Sequence, residues 1–436
     1  MASENLIATG DIFIPFGKLA IIPTKGCEDL AEMINTEIVK LREKEFSSPE
    51  YTENILFNDC LTKNYVKNGS FIRFQTGEGK CELPESVRGY DVYIVCDVFN
   101  RNVMTKFYSN EADRPMSPDE HFCDLKRLID AINGKAKRVT VIMPMLYEGR
   151  QHRRTKRESQ DCANALVELT SMGVDNIITF DAHDPRVQNA ITLHTFEDIS
   201  TRHQMIKALN EFGKKQAAEK AKDENDARTN YKIDPHKLTI ISPDEGGLSR
   251  ALKYANVLHV PLGTFYKRRD YSTVVDGKNP ILEHKYLGDK SDIEGKDIVI
   301  VDDMISSGSS IFEVVDALHK MNARRIFVCC AFGLYTEGFK KFDEYFNAQK
   351  ITQVFNTNLV HPVNELLDKP WYTSVNMCKY IAFIINNLNT DRTLSNLINP
   401  DKRITDRLYE KYPEMWKEWL DEKKAEMENL KAKKQG

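Results

Sequence analysis

The chain lacks the features that would place it in a membrane or outside the cell. None of its apolar runs approaches the roughly 18 to 20 residues that cross a bilayer. The N-terminus carries no basic segment followed by an apolar core, so no signal peptide is predicted. The nine cysteines form no Cys-x-x-Cys pair, and Cys329 and Cys330 lie in an apolar run, as expected of buried thiols in a reducing compartment. These absences predict a cytoplasmic protein with no membrane segment.

The signatures of several enzyme classes are also missing. There is no GxxxxGK[ST] loop, so a Walker-type nucleotide site is excluded, and the protein-kinase catalytic-loop and Asp-Phe-Gly signatures are absent. Nothing matches a Ser-His-Asp nucleophile elbow or a HExxH zinc motif. A net charge of only −4 gives no overall field that favours nucleic acid, so we expect no nucleic-acid partner. Any anion must therefore be bound by local groups.

What the sequence does contain is an alternation of apolar strand-like runs with helical patterns. A hydrophobic content of 41% supports sizeable cores, and 436 residues allow two or three domains. The predicted strands are 91–98, 138–144, 176–181, 238–242, 297–302 and 325–331. The predicted helices include 123–133, 160–172, 247–255 and 311–321. This alternation predicts an α/β fold with two central parallel sheets flanked by helices.

Composition suggests how the chain is divided. We expect an N-terminal α/β domain at 1–205, a charged insert or linker at 206–237, a C-terminal α/β domain at 238–385 and a helical extension at 386–436. The extension carries a thin apolar stripe around Trp416 and Trp419, which predicts packing on the body of the protein or on a partner subunit.

The most informative segment begins with the apolar run 298–301. Two acids, Asp302 and Asp303, follow it, and then come the loop 306–310, made only of serine and glycine, and an amphipathic helix. Backbone N–H groups in such a loop, backed by a helix N-terminus, suit an anion, whereas the acids suit sugar hydroxyls or a metal. The pattern predicts a phosphorylated-sugar site at the carboxyl end of a parallel strand. The alternative is an ordinary serine-capped turn.

Two further strand ends carry candidate phosphate or metal ligands. After the strand 138–144, the segment 150–157 has five cations in eight residues, which could hold a polyphosphate or simply form a solvated basic loop. After the strand 176–181, His183 stands between acids and suits a metal or a phosphate hydrogen bond, although a structural histidine is equally compatible with the pattern.

Two more candidates lie near the strand 238–242. Asp244 follows this strand and precedes Gly246-Gly247, a position suited to Mg²⁺ or to a ribose hydroxyl. Lys267 and Arg269 close another strand-like run at the start of a polar stretch, where cations could neutralise charge during phosphoryl transfer. A solvated hairpin turn is the alternative for that pair.

Taken together in this order, the motifs resemble ribose-phosphate diphosphokinases (PRPP synthetases), in a long form with inserts. The resemblance runs from about residue 21 to residue 398 and also includes the segments 74–78, 85–89 and 332–357. It implies two phosphoribosyltransferase-like domains, the first on the ATP side and the second binding ribose 5-phosphate. It further implies Mg²⁺ as cofactor and a homo-oligomer, either a dimer or a hexamer.

The resemblance also assigns a role to each matching residue. Lys267 and Arg269 would stabilise the transition state. The ATP-binding residues would be Phe74, Glu78, Arg150, Gln151 and His183. The ribose-5-phosphate site would comprise Asp244, Asp302, Asp303, Ser306, Ser307, Gly308, Ser309 and Ser310, and the metal ligands would be Asp181, His183 and Asp244.

The chain departs from the family pattern at four positions. Thr76 stands where Asp or Asn is usual, His152 where Asp is usual, Ser306 where an acid is expected and Ser309 where Gly is usual. The implied reaction is transfer of the β,γ-diphosphoryl group of Mg-ATP to the C1 hydroxyl of ribose 5-phosphate. A phosphoribosyltransferase that uses PRPP and a non-catalytic regulatory subunit of the same fold remain as alternatives.

Overall fold

The computed structural model describes residues 14–47, 61–106, 108, 110–220, 232–269 and 281–435. The strands are β1 (Lys18–Pro23), β2 (Ser70–Arg73), β3 (Gly79–Glu82), β4 (Tyr90–Val95), β5 (Met104–Thr105), β6 (Arg114–Pro115), β7 (Arg138–Ile142), β8 (Asn176–Phe180), β9 (Thr195–Ile199), β10 (Leu238–Ser242), β11 (Leu262–Arg269), β12 (Ile281–Leu287), β13 (Asp297–Ile305), β14 (Arg325–Gly333), β15 (Gln353–Thr357) and β16 (Tyr372–Val375). The α-helices are α1 (Glu28–Glu45), α2 (Pro118–Ile132), α3 (Asp161–Ser171), α4 (Arg202–Lys220), α5 (Leu248–Leu258), α6 (Ser309–Lys320), α7 (Lys340–Asn347), α8 (Asn364–Leu367), α9 (Cys378–Asn389), α10 (Ser395–Ile398), α11 (Asp401–Lys411) and α12 (Pro413–Gln435). None of the helices in the described ranges is long and apolar enough to cross a membrane.

The first half of the chain forms a five-stranded parallel sheet in the order β1-β4-β7-β8-β9. Its inner strands are buried on both faces, because their runs of β-branched and aromatic residues pack against helices on either side. The register aligns Val95 with Ile142, and Ile142 in turn with Ile178. The loops that leave β7 and β8 therefore emerge at the same edge.

The second half forms a seven-stranded sheet in the order β12-β11-β10-β13-β14-β15-β16. All neighbouring strands are parallel except β11 and β12, which are antiparallel. Strand β13 lies in the centre, and its residues Ile298–Val301 are buried. Two helix-flanked sheets whose strands are parallel, apart from the antiparallel edge strand β12, confirm the predicted fold class. As in other open α/β sheets, ligands are expected at the carboxyl ends of such central strands.

The two halves share one hydrophobic core. Ile21 and Val95 of the first sheet lie in the same cluster as Phe332 of β14 and residues of helix α9. Helix α9 packs beside α1, where the guanidinium of Arg42 donates to the side-chain oxygens of Asn386 and Asn389. The sheets are thereby held with their carboxyl edges close together.

The segments that the sequence suggests as additions are partly folded onto the body. Residues 206–220 form the C-terminal part of α4, whose Ile206 and Leu209 are buried and whose Phe212 meets Phe327 of β14 edge to face. In α12, Trp416 is buried and its Nε1 donates to Asn210 of α4 over 2.8 Å. The C-terminal helix therefore packs on the body of the same chain.

Candidate functional site

A cleft of about 580 Å³ lies where the carboxyl ends of β7, β8, β10 and β13 face one another. The first half lines it with Arg150, His152, Arg153, His183, Asp184 and Arg186. The second half contributes residues 244–247, Arg250 and residues 302–311. The cleft is therefore assembled from both halves of the chain.

The acid pair Asp302 and Asp303 lies near the carboxyl end of β13, directly before Met304 and Ile305. Asp303 N donates to Asp302 Oδ1 over 2.9 Å, and Met304 N donates to Asp303 Oδ1 over 3.0 Å. Burial and the adjacent charge of Asp303 raise the pKa of Asp302 well above its usual value. Burial opposes the ionisation of Asp303 as well, but the hydrogen bond from His183 and the charge of Arg250 outweigh it and lower its pKa to about 2. Two close carboxylates thus titrate apart, and Asp303 loses its proton at the lower pH.

His183 connects the first half to this pair, because its Nδ1 lies 2.7 Å from Asp303 Oδ2. It follows β8 on a turn where Asp181 has a positive φ of 39°. The Asp181 carboxylate accepts from the backbone N–H and the hydroxyl of Thr201 and does not line the cleft in the described part of the chain. Its observed contacts therefore shape the turn that presents His183.

The basic loop after β7 places Arg150 and His152 at the cleft. Arg150 Nη2 lies 3.0 Å from the sulfur of Met304, next to the acid pair. His152 Nε2 lies 3.4 Å from Asp184 Oδ2, and its ring centroid is 5.4 Å from that of His183. Hydrogen bonds from Arg186 lower the pKa of Asp184 to about 2, so this carboxylate balances the cations around it. The result is a cation-rich wall suited to phosphate groups.

The loop 306–310 has the geometry expected of an anion site. Gly308 has a φ of 83°, and a Cβ atom there would lie 2.8 Å from Phe342 Cζ. Helix α6 begins at Ser309, whose N–H donates to Ser307 Oγ over 3.3 Å. The N-terminus of a helix of this length carries partial positive charge that favours a bound anion.

Asp244 opens the turn between β10 and α5. Its Oδ1 accepts from Gly247 N over 3.1 Å, and its carbonyl oxygen accepts from Ser242 Oγ over 2.6 Å. A Cβ at Gly247 would lie 2.8 Å from that same serine oxygen, so the tight turn needs glycine. The carboxylate of Asp244 is thus held at the cleft wall.

Arg250 belongs to the site although no sequence motif identified it. Its Nη1 lies 3.7 Å from Asp302 Oδ1 and 4.0 Å from Asp303 Oδ1, and its Nη2 donates to the carbonyl oxygen of Ala182 over 3.3 Å. The sequence offers one indication of this role. An arginine in the first turn of a helix is disfavoured by the helix dipole, so a partner outside the helix is expected to stabilise it.

Comparison with known proteins agrees with this two-part arrangement. The family model "N-terminal domain of ribose phosphate pyrophosphokinase" matches residues 19–173, and the model "Phosphoribosyl transferase domain" matches residues 205–362. The ribose-phosphate pyrophosphokinase of Clostridium acetobutylicum is 27% identical over 268 residues, which cover 60% of this chain and 69% of that protein. The one from Clostridium perfringens is 26% identical over 329 residues, covering 74% of this chain and 87% of that protein.

The chain belongs to the ribose-phosphate pyrophosphokinase family. The resemblance inferred from the motifs is thereby confirmed. The crystal structure of phosphoribosylpyrophosphate synthetase from Mycobacterium smegmatis shares the fold, with a TM-score of 0.62 at 19% identity over 86% of this chain and 99% of that one.

Besides Asp181 and Gln151, four residues assigned from the family pattern lie outside the lining of this cleft or beyond what the structure describes. Phe74 and Glu78 lie on the β2–β3 hairpin, away from the described lining, and Phe74 is half exposed. Lys267 and Arg269 end β11, where their backbones face His284 and Ile281 of β12. Their side chains fall outside the described part of the chain, so the assigned catalytic roles stay predictions.

Three of the four residues that depart from the ribose-phosphate pyrophosphokinase pattern make defined contacts in the structure. Thr76 Oγ1 donates to Glu78 Oε2 over 2.8 Å at the tip of the hairpin. Ser306 lines the cleft and accepts from Thr336 N through its carbonyl oxygen over 3.0 Å. Ser309 is the first residue of α6 and contacts Ser307. With Ser306 and Ser309 in place of the usual residues, the loop 306–310 (the serine loop) therefore still has its hydrogen bonds and is still followed by a helix. Gln151, which matches the pattern, is not among the described lining residues.

The donor set fits a magnesium ion that arrives with phosphate ligands. Within the described ranges, no three His, Cys, Asp or Glu side chains are grouped so that they could hold a metal by themselves. Mg²⁺ usually takes only one or two protein carboxylates and completes its shell with water and substrate phosphates. The carboxylate of Asp244 at the cleft wall meets that smaller requirement.

Proposed function

We propose that the protein is a ribose-phosphate pyrophosphokinase that transfers the β,γ-diphosphoryl group of Mg-ATP to the C1 hydroxyl of ribose 5-phosphate, giving PRPP and AMP. The observation that carries the proposal is the shared cleft. There His183 and Arg150 of the N-terminal half meet the acid pair and the serine loop of the C-terminal half. A reaction between a nucleotide and a sugar phosphate requires two such subsites to adjoin.

The sugar subsite is built by β13 and α6. The backbone N–H groups of residues 306–310 and the N-terminus of α6 bind the 5-phosphate. The carboxyl groups of the acid pair lie beside that loop and bind ribose hydroxyls. A phosphate at one end and acids at the other fix which end of the sugar points across the cleft.

The nucleotide subsite is built by the loops after β7 and β8. Arg150 and Arg153 bind phosphate oxygens by charge-assisted hydrogen bonds. Asp244 and His183 would hold Mg²⁺, with Asp181 supporting them from the turn before His183, and the ion when bound neutralises phosphate charge and aligns the triphosphate. Phe74, Glu78 and Gln151 retain the adenine-side and ATP roles that the family pattern assigns.

The chemistry needs alignment and charge neutralisation more than covalent help from the protein. The C1 oxygen attacks the β-phosphorus in line, the bond from this phosphorus to the α-bridging oxygen breaks, and AMP departs with that oxygen. The hydroxyl proton is released. Lys267 and Arg269 stabilise the charge that develops on the transferred group.

The alternatives are not favoured. A phosphoribosyltransferase would need only the second half, and the cleft residues Arg150 and His183 would then have no task. A non-catalytic regulatory subunit would not need the acid pair, the serine loop and the cationic wall together in one cleft. We also infer that the protein forms a homo-oligomer, either a dimer or a hexamer, and acts in the cytoplasm.

The test is to incubate the purified chain with Mg-ATP and ribose 5-phosphate and to measure AMP and PRPP together. Equal amounts of both, formed only when the sugar is present, would support the proposal. If no AMP forms while ribose 5-phosphate still binds, the protein is a regulatory subunit. Asp302→Asn serves as the matched inactive control, because it replaces one acid of the pair with an amide of the same size.

A further inference from the structure

The two carboxylates of the acid pair have different surroundings. Both oxygens of Asp303 are engaged, since Oδ1 accepts from Met304 N over 3.0 Å and Oδ2 lies 2.7 Å from His183 Nδ1. Only 5% of the Asp303 side chain is exposed, compared with 21% for Asp302. Asp302 is therefore the member that is open to a ligand, whereas Asp303 is held inside the wall.

Two bridges tie the turn after β8 to this pair. His183 contacts Asp303, and the carbonyl oxygen of the preceding Ala182 accepts from Arg250 Nη2 over 3.3 Å. The other guanidinium nitrogen of Arg250 lies 3.7 Å from Asp302 and 4.0 Å from Asp303. His183, Arg250 and the two acids are thus connected by contacts between the halves, so the position of His183 and the orientation of the acids depend on each other.

We propose that His183 is a positioning residue of the sugar subsite. Its Nδ1 fixes the carboxylate of Asp303, and Arg250, which lies 4.0 Å from Asp303 Oδ1 and 3.7 Å from Asp302 Oδ1, couples that carboxylate to Asp302 and so holds Asp302 toward a ribose hydroxyl. Asp302 is then the acid that contacts the sugar. This inference rests on the proposed function and refines it, because the family pattern assigns His183 to ATP and metal alone.

The physical argument is the cost of leaving a buried carboxylate without its partner. When His183 is removed, Asp303 loses a hydrogen bond to its charged form and must turn toward another donor. Arg250, which lies near both acids, shifts with Asp303, and Asp302 then loses its orientation in a site where alignment determines affinity. Loss of a hydrogen bond of this kind weakens binding by roughly tenfold or more.

Binding of ribose 5-phosphate alone separates this role from the nucleotide and metal roles. The full chain is titrated calorimetrically with ribose 5-phosphate in EDTA, without nucleotide. His183→Ala should bind the sugar roughly tenfold more weakly. His183→Asn, whose amide nitrogen can take the place of Nδ1, should stay within about threefold of the wild type, since it keeps the hydrogen bond. His319→Ala removes an exposed histidine at the far end of α6 and should change nothing.

A double-mutant cycle tests the route through Asp303. Asp303→Asn should weaken sugar binding about as much as His183→Ala, and the double variant should lose little more, because the two residues act as one unit. Asp302→Asn should lose the most. Losses that add in the double variant would overturn the inference.

Three other outcomes are also decisive. Unchanged sugar binding by His183→Ala, together with weaker ATP binding, would place His183 on the nucleotide side only and refute the inference. If His183→Ala fails to fold, the comparison of His183→Asn with Asp303→Asn decides instead. If the wild-type chain does not bind ribose 5-phosphate without nucleotide, the inference is refuted, and the proposed function fails with it only when PRPP formation from Mg-ATP is absent as well.

Discussion

The shape of the serine loop depends on the single residue Gly308. Its φ of 83° is unfavourable for other residues, and an added Cβ would lie 2.8 Å from Phe342 Cζ and 3.0 Å from Phe312 Cε2. Gly308→Ala should raise the KM for ribose 5-phosphate at least about tenfold, because the loop must shift away from these rings. It should also lower the free energy of unfolding by about 1 kcal/mol or more.

A matched glycine controls for the backbone strain. Gly134 has a φ of 58°, and a Cβ added there would have no described atom within 4 Å. Gly134→Ala should therefore lower stability by about 1 kcal/mol and leave the KM unchanged. If Gly308→Ala also left the KM unchanged, the loop would not be the phosphate site.

Lys267 is the residue expected to contribute most to the chemical step. Lys267→Ala should lower kcat at least roughly a hundredfold, as the loss of one group that stabilises transition-state charge usually does. The KM for ribose 5-phosphate should change much less. Lys285→Ala is the control, since Lys285 lies on the neighbouring strand opposite Tyr266 and is exposed. A kcat within a few-fold of the wild type would contradict the mechanism.

At the scale of single residues, the sequence predicts those site residues that belong to a local motif. Asp302 and Asp303 stand out because they follow an apolar run and precede a serine loop. The bond between His183 and Asp303 could not be predicted, since it joins residues 120 positions apart in different halves. Arg250 carries only a weak signal, because its partners lie on other elements.

Among the secondary-structure elements, buried strands are the best predicted. The strand 238–242 has the observed bounds, whereas the strand predicted at 297–302 runs on to Ile305. The acids stay in the strand because Met304 and Ile305 continue the pairing with β14. Strand β15 is absent from the predicted apolar runs, since Gln353, Asn356 and Thr357 interrupt the pattern, although all three are buried.

The packing of α4 against α11 makes stability depend on pH. Burial, and then the charges of Arg403, Arg407 and Lys207, lower the pKa of His203 to about 3. The unfolded chain takes up this proton near pH 6.5 and the folded chain does not, so stability is lost as the pH falls below 6.5. Between pH 7.5 and 5 this group should cost about 2 kcal/mol of unfolding free energy.

Urea unfolding of His203→Gln at the two pH values measures this contribution. The variant should show a pH dependence that is smaller by about 2 kcal/mol. His319→Gln, which changes an exposed histidine, should keep the full dependence of the wild type. An unchanged dependence in His203→Gln would mean that His203 is already charged in the folded protein.

At the scale of the whole molecule, the sequence could not predict how the two halves pack against each other. Helix α9 follows the second sheet in sequence but packs on α1, and Asn389 Nδ2 donates to Asp91 of the first sheet over 2.9 Å. No local periodicity encodes such a contact, because its partners are separated by most of the chain. The cleft depends on it, since its two walls come from different sheets.

Removal of the metal should affect catalysis but not the sugar subsite. No described group of three metal-binding side chains exists, so the free protein should bind Mg²⁺ weakly and the ion should enter with ATP. EDTA should abolish PRPP formation, and excess Mg²⁺ should restore it, while calorimetric binding of ribose 5-phosphate persists in EDTA. Tight stoichiometric binding of Mg²⁺ by the protein alone would contradict this account.

The central claim is that a diphosphoryl group crosses the cleft from ATP to the sugar. The most direct test is a single turnover with ATP labelled at the β-phosphorus, followed by separation of the products. The account predicts that all transferred label is found in PRPP and that the AMP is unlabelled. Labelled ADP, or label released as inorganic phosphate without PRPP, would contradict it.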